Sequence, residues 1–186
     1  MADSAALGGG SCCGRCDLCR RGVVAALGGY ARDGSYLARF AWTKTIINKY
    51  YYAITNRKPD WLEKDVSFPI AHHYSDKSRM VVIIAGKEGT LKYRGRPQNA
   101  HTFLKFIKEV NSLTLLEAQI TSGCRHQIRV HMATVSLPIL GDKLYGKTKK
   151  ATLYHQLFCY KVILKTLSGE YVEIKYSPEE LKDFFN

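Results

Sequence analysis

"TSGCRHQIRVHMATVSLPILGDKLYG" (121–146) holds the only clear helical period in a chain that otherwise reads as strand. Ser122-Gly123 is a loop signal, and Ile128, Met132 and Val135 then recur at i, i+4 and i+7, one face of a helix. Leu137-Pro138 and Gly141-Asp142 break the pattern, so the helix is expected over about residues 125–136. Its first turns carry "RHQIRVH" (125–131), far more donors than a solvated helix face needs. Arg125 and Arg129 fall about 40° apart, beside the apolar stripe. Free backbone N–H groups and the helix dipole favour an anion there, and a guanidinium adds a fork that fits carboxylate or phosphate. The competing expectation is that Arg129 neutralises an acid at the edge of the core. His126 and His131 are five apart and share no helix face, so they are expected to hydrogen-bond loops and not to hold zinc.

Outward from this helix the pattern is mostly strand. "KYYYAIT" (49–55) and "RMVVIIAG" (79–86) are β-branched and aromatic. "HTFLKFIKEV" and "SLTLLEAQI" meet at Asn111-Ser112 and read as a hairpin, as do "LFCYKVILKTL" and "YVEIKYS" around Ser168-Gly169. Ser177-Pro178-Glu179-Glu180 is a helix start, with a cap, a first-turn proline and acids for the dipole. The expected fold is α+β: an antiparallel-rich mixed sheet with few flanking helices.

Composition divides the chain in two. The first 43 residues have five Arg and no Lys, whereas the other 143 have six Arg and 17 Lys. Residues 1–43 are therefore read as a Gly/Cys/Arg-rich segment of flexible composition, and residues 44–186 as one domain. The net charge of +12 points to a polyanionic partner. The absence of a run of about 18 apolar residues argues against a membrane span. Cys13, Cys16 and Cys19 have metal-ligand spacing, but no second half-site completes a set of four, so no metal site is expected. With no secretory signal, cytoplasmic localisation is expected, the alternative being a mitochondrion or other organelle.

"SGCRHQIRVH" followed by "PILGDKLYG" resembles the signature of the large-subunit-type (RluA-type) RNA pseudouridine synthases. Lys49, Tyr51 and Ala53 resemble that family's K-x-Y-x-A strand, "NAHTFLKFIKE" its A-x-T strand, and "YSPEELKDFF" its terminal segment. The resemblance covers about residues 44–186. It implies the pseudouridine synthase catalytic fold and isomerisation of uridine in rRNA or tRNA, without cofactor or metal, by a chain expected to act as a monomer. It also implies roles: Tyr51 against the flipped base, Arg129 holding the nucleophilic carboxylate, and Lys49, Arg125, His126 and Gln127 contacting RNA.

The chain departs from the pattern at two places. Cys124 stands where the family has Arg, and the family's H-R-L-D motif has no counterpart. "ARDGSYLARFAWT" (31–43) is the nearest remnant, with Ala31 at the nucleophile's position and Asp33 as the nearby carboxylate. The domain is therefore expected to be truncated or altered at its N-terminal side. The missing H-R-L-D leaves a non-catalytic RNA-binding protein as a second function, and the Cys13, Cys16 and Cys19 spacing leaves a metal-binding N-terminal module on a β domain as a weaker third.

Overall fold

The computed structural model describes residues 46–86, 92–146, 154–166 and 168–185. Asp33, the cysteines at 12–19 and the boundary near residue 43 lie outside them. The described part is α+β. Its strands are β1 (Ile46–Thr55), β2 (Glu63–Val66), β3 (Ile70–His73), β4 (Met80–Val82), β5 (Tyr93–Gln98), β6 (Thr102–Val110), β7 (Leu113–Ile120), β8 (Leu157–Lys165) and β9 (Tyr171–Lys175). Helix α1 is Gln127–Thr134, and a 3-10 turn (Glu179–Leu181) runs into α2 (Lys182–Phe185). Six strands form one sheet in the order β2-β6-β7-β1-β8-β9, and β4-β3-β5 form a second. Every pairing is antiparallel.

The hairpin expected at Asn111-Ser112 is present. Both residues have positive φ (50° and 61°), the geometry whose twist matches the flanking strands β6 and β7. Strand β1 lies between β7 and β8, and its side chains alternate between two apolar layers. Tyr51 and Ala53 join Ile128 and Met132 of α1, together with Leu104, Leu116 and Leu164. Ile54 and Tyr52 belong to the opposite layer, with Leu115, Leu181 and Phe184. Each large apolar side chain fully buried there contributes roughly 1.5–3 kcal/mol. The three consecutive tyrosines divide accordingly: Tyr52 stacks on Tyr160 at 3.8 Å between centroids, while Tyr51 faces the helix layer. A register shift in β8 opposite Tyr50 and Tyr51 brings in Tyr160, whose hydroxyl donates to Glu117.

Helix α1 is shorter than its pattern, and its C-terminus shows why. Ser136 turns left-handed (φ 64°), its N–H donates to Ala133 O, and Leu137 N–H reaches back to Met132 O at 2.9 Å. This is a Schellman ending, with Leu137 and Met132 packed in the same cluster and Pro138 barring continuation. Three strands escaped the sequence reading: β2 (EKDV), β3 (IAHH) and β5 (YRGRPQ). Strands β2 and β5 lie at sheet edges, where one row of backbone groups and most side chains face water, so no apolar alternation marks them. Of "RMVVIIAG", only Met80–Val82 pairs.

Candidate active site

The side chains of "RHQIRVH" tie α1 to its neighbours. Gln127 bonds back to its own entry loop. Its Oε1 accepts the Cys124 N–H at 3.1 Å, and its backbone N–H donates to Cys124 O at 3.2 Å. Its Nε2 donates to His101 O (2.8 Å) and to Thr102 Oγ1 (3.2 Å) at the start of β6. His131, fully buried, lies with Nδ1 2.9 Å from Thr102 Oγ1 and Nε2 3.0 Å from Phe68 O. Since Phe68 O can only accept, Nε2 carries the proton and Nδ1 accepts from the threonine. His126 occupies the N-cap in a left-handed conformation (φ 57°), with Nδ1 3.0 Å from the Tyr145 hydroxyl. That hydroxyl also accepts the Met80 N–H at 2.8 Å, which fastens the three-stranded sheet to the helix entry.

Arg129 reaches 13 residues ahead. Its Nε donates to Asp142 Oδ2 at 2.7 Å and its Nη2 to Oδ1 at 2.8 Å, a forked pair with the Asp142 side chain at 0 % exposure. Oδ1 also accepts the N–H groups of Leu144 (2.9 Å) and Tyr145 (3.1 Å). Burial opposes the Asp142 charge, but the Arg129 bonds and charge, with the Tyr145 and Leu144 N–H groups, outweigh it and hold the carboxyl below its ordinary range. The guanidinium carbon lies 5.2 Å from the Tyr145 ring centroid, and Nη1 makes no hydrogen bond among the described residues. Asp142 thus fixes which edge of Arg129 is left over.

"GDKLYG" is built around this carboxylate. Gly141 takes positive φ (76°), and Gly146 N–H donates to Asp142 O at 2.9 Å. A Cβ on Gly146 would sit 2.5 Å from Asp142 O, a backbone atom. Gly146→Ala is therefore expected to force the turn open and cost about 1–3 kcal/mol. A urea melt with an unchanged midpoint would show that the turn adapts freely. The segment is anchored to β1 through Leu140 N–H to Ile54 O (2.8 Å).

Apart from Arg129, held in this clasp with Asp142, the expected residues differ in exposure. Lys49 precedes Tyr51 on the same face of β1, and a side chain on Gly123 would meet its Nζ at 3.5 Å. The Lys49 ammonium and the loop that delivers Arg125 are thus neighbours, and Arg125 itself is exposed. Tyr51 is 1 % exposed, so a base could meet its ring only after a neighbour moves. Gln127, an expected RNA contact, is 3 % exposed, and both ends of its amide are bonded within the fold. Asp142 and Tyr145 were missed as site residues, and His131 was expected only to bond a loop. Their signal lay in the sequence, since a helix arginine beside a Gly-Asp turn is a ready ion pair. Among the described residues, no three His, Cys, Asp or Glu side chains are placed to hold a metal.

Protonation ties this network to pH. Burial and the charges of Arg129 and Arg125 push His126 down to about 4, and burial lowers His131 as well. An unfolded histidine titrates near 6.5. Below that pH the unfolded chain takes up protons that the folded chain refuses, so stability falls as pH drops from about 6.5 toward 4. Asp142 adds a loss below its unfolded value near 3.8, as its depressed folded pKa is approached. Urea midpoints measured from pH 7 to 4 should fall steadily, and His126→Gln should flatten the slope. A midpoint constant across that range would contradict the neutral-histidine assignment.

Comparison with known proteins places the fold and the motifs together. Residues 10–134 match the RNA pseudouridylate synthase family. Ribosomal large subunit pseudouridine synthase D of Zymomonas mobilis is 31% identical over 105 residues, covering 56% of this chain and 30% of that protein. RNA pseudouridine synthase 2, chloroplastic, of Arabidopsis thaliana is 31% identical over 109 residues, 58% of this chain and 24% of its own length. The chain thus spans about three-tenths or less of these relatives. Among solved structures, human RNA pseudouridylate synthase domain containing 1 superposes with a TM-score of 0.62 at 18% identity, over 78% of this chain and 62% of the other. With the profile match spanning well over half its length, the chain belongs to the RNA pseudouridylate synthase family.

Proposed function

We propose that this chain takes part in converting uridine to pseudouridine in RNA, with ribosomal RNA as the first substrate class to test. The N–C glycosidic bond breaks, a C–C bond forms in its place, and the proton displaced from the ring carbon is exchanged for one on nitrogen. The family match over residues 10–134 carries this reading, because it begins within the segment that holds Asp33. Lys49, Arg125 and the free edge of Arg129 supply positive charge for the RNA and the reacting carboxylate. Tyr51 meets the base once the helix layer opens, and as the phenolate, its own proton passed to solvent, it takes the proton from the ring carbon. No cofactor or metal is required, and one copy of the chain acts alone. The cytoplasm is the expected compartment, and the chloroplastic relative leaves room for an organelle.

Two observations favour a second reading, a non-catalytic RNA-binding protein: the sequence has no H-R-L-D, and Arg129 already holds a carboxylate of its own domain. Carbodiimide-adduct primer extension on RNA from a deletion strain, with and without the complementing gene, separates the two. A restored stop is expected. Its absence, with RNA binding retained, selects the second reading.

A further inference from the structure

The β3–β4 hairpin lies outside the clasp, and its tip is built with more hydrogen bonds than a passive turn needs. His73 N–H donates to Arg79 O (3.1 Å), Arg79 N–H to Asp76 O (3.2 Å), and Asp76 N–H to His73 Nδ1 (3.0 Å). This rigid turn holds Tyr74 at 62 % exposure, with Lys77 and Arg79 also exposed. Next to it, β5 sets Tyr93 opposite His73 and exposes Arg94 and Arg96. Asp76 is the one acid of the described hairpin and β5, and its Oδ1 is taken up by Ser78 N–H (2.8 Å) and Ser78 Oγ (2.5 Å). Cationic side chains interleaved with exposed aromatic rings suit a single strand, whose phosphates pair with the former and whose bases stack on the latter. A duplex, whose bases are stacked inside, would use the charges and leave the tyrosines without a base to stack on.

The patch is continuous with the clasp. The Arg79 guanidinium carbon lies 5.8 Å from the Tyr145 ring centroid, the ring that Arg129 also approaches. Met80, the next residue, donates its N–H to the Tyr145 hydroxyl. We propose that the β3–β4 hairpin with β5 is an RNA-gripping surface, on which Tyr74 stacks an unpaired base while Lys77 and Arg79 lead the backbone toward the start of α1. This rests on RNA being the partner, as proposed above.

The test is fluorescence anisotropy across a salt series, using a labelled uridine-rich single-stranded RNA and the same sequence annealed as a duplex. Tyr74→Ala should weaken single-strand binding about ten-fold and duplex binding less. Lys77→Ala with Arg79→Ala should reduce the slope of log affinity against log salt by about two. Lys165→Ala with Lys182→Ala removes the same charge elsewhere and should leave the single-strand preference unchanged. Urea midpoints of the tip variants should equal wild type, since Tyr74 and Lys77 are exposed. Wild-type affinity and salt slope in the tip variants would overturn the hairpin's role while leaving the RNA reading intact. If the wild-type protein binds neither RNA, the RNA reading fails and this surface with it.

Discussion

Arg129→Met is expected to cost about 3–5 kcal/mol, the loss that follows when one partner of a buried ion pair is removed. The cause is what remains behind. The Asp142 side chain is wholly buried, and without the guanidinium it keeps only the N–H groups of Leu144 and Tyr145. A domain of this size is stable by about 5–15 kcal/mol, so one substitution removes a large share of the total. Arg129→Lys should recover part of the loss, because an ammonium keeps the charge but not the two parallel bonds. Urea denaturation at neutral pH measures both, and a loss under about 1 kcal/mol for Arg129→Met would mean that the pair behaves like an exposed one.

Tyr51 separates packing from chemistry. Tyr51→Ala should cost about 3–5 kcal/mol, as for other buried aromatic truncations, since the ring fills the layer between β1 and α1. Tyr51→Phe keeps the ring and should change stability by no more than about 1.5 kcal/mol. If the Tyr51 phenolate takes the proton in the proposed isomerisation, the same Phe variant should slow conversion by about 100-fold or more while folding normally. Full activity in Tyr51→Phe would leave the residue a packing role only.

How much of this was legible in the sequence depended on where each signal is written. Strands β1 and β7 carry near-continuous aromatic and apolar runs because both of their faces meet core. Helix α1 carries a 3.6-residue period because one stripe of it does. Strands β2 and β5 were invisible because edge pairing asks little of their side chains, and "YRGRPQ" even holds a proline and a glycine. The polar residues of α1 were visible as an excess of donors, but not their destinations. Gln127 looked like an RNA contact because sequence does not show that Thr102 and His101 come to lie beside it. Arg129 looked like the holder of a distant nucleophile, and nothing in its own helix reveals that Asp142 is turned toward it by Gly141. The competing expectation of an internal acid describes the bond that is present. The Arg129 Nη1 edge still leaves the catalytic proposal its guanidinium.

The central claim is that the two halves of residues 121–146 close on each other through one ion pair, which then aims the remaining edge of Arg129. A double-mutant cycle by urea denaturation tests it directly, with Arg129→Met, Asp142→Asn and the two combined. Asparagine keeps an acceptor for the Leu144 and Tyr145 N–H groups, so the cycle isolates the pair. The double variant should be about 2–3 kcal/mol more stable than the sum of the two single losses predicts. Losses that simply add would show that Arg129 and Asp142 act independently, and the clasp would not be what holds the site.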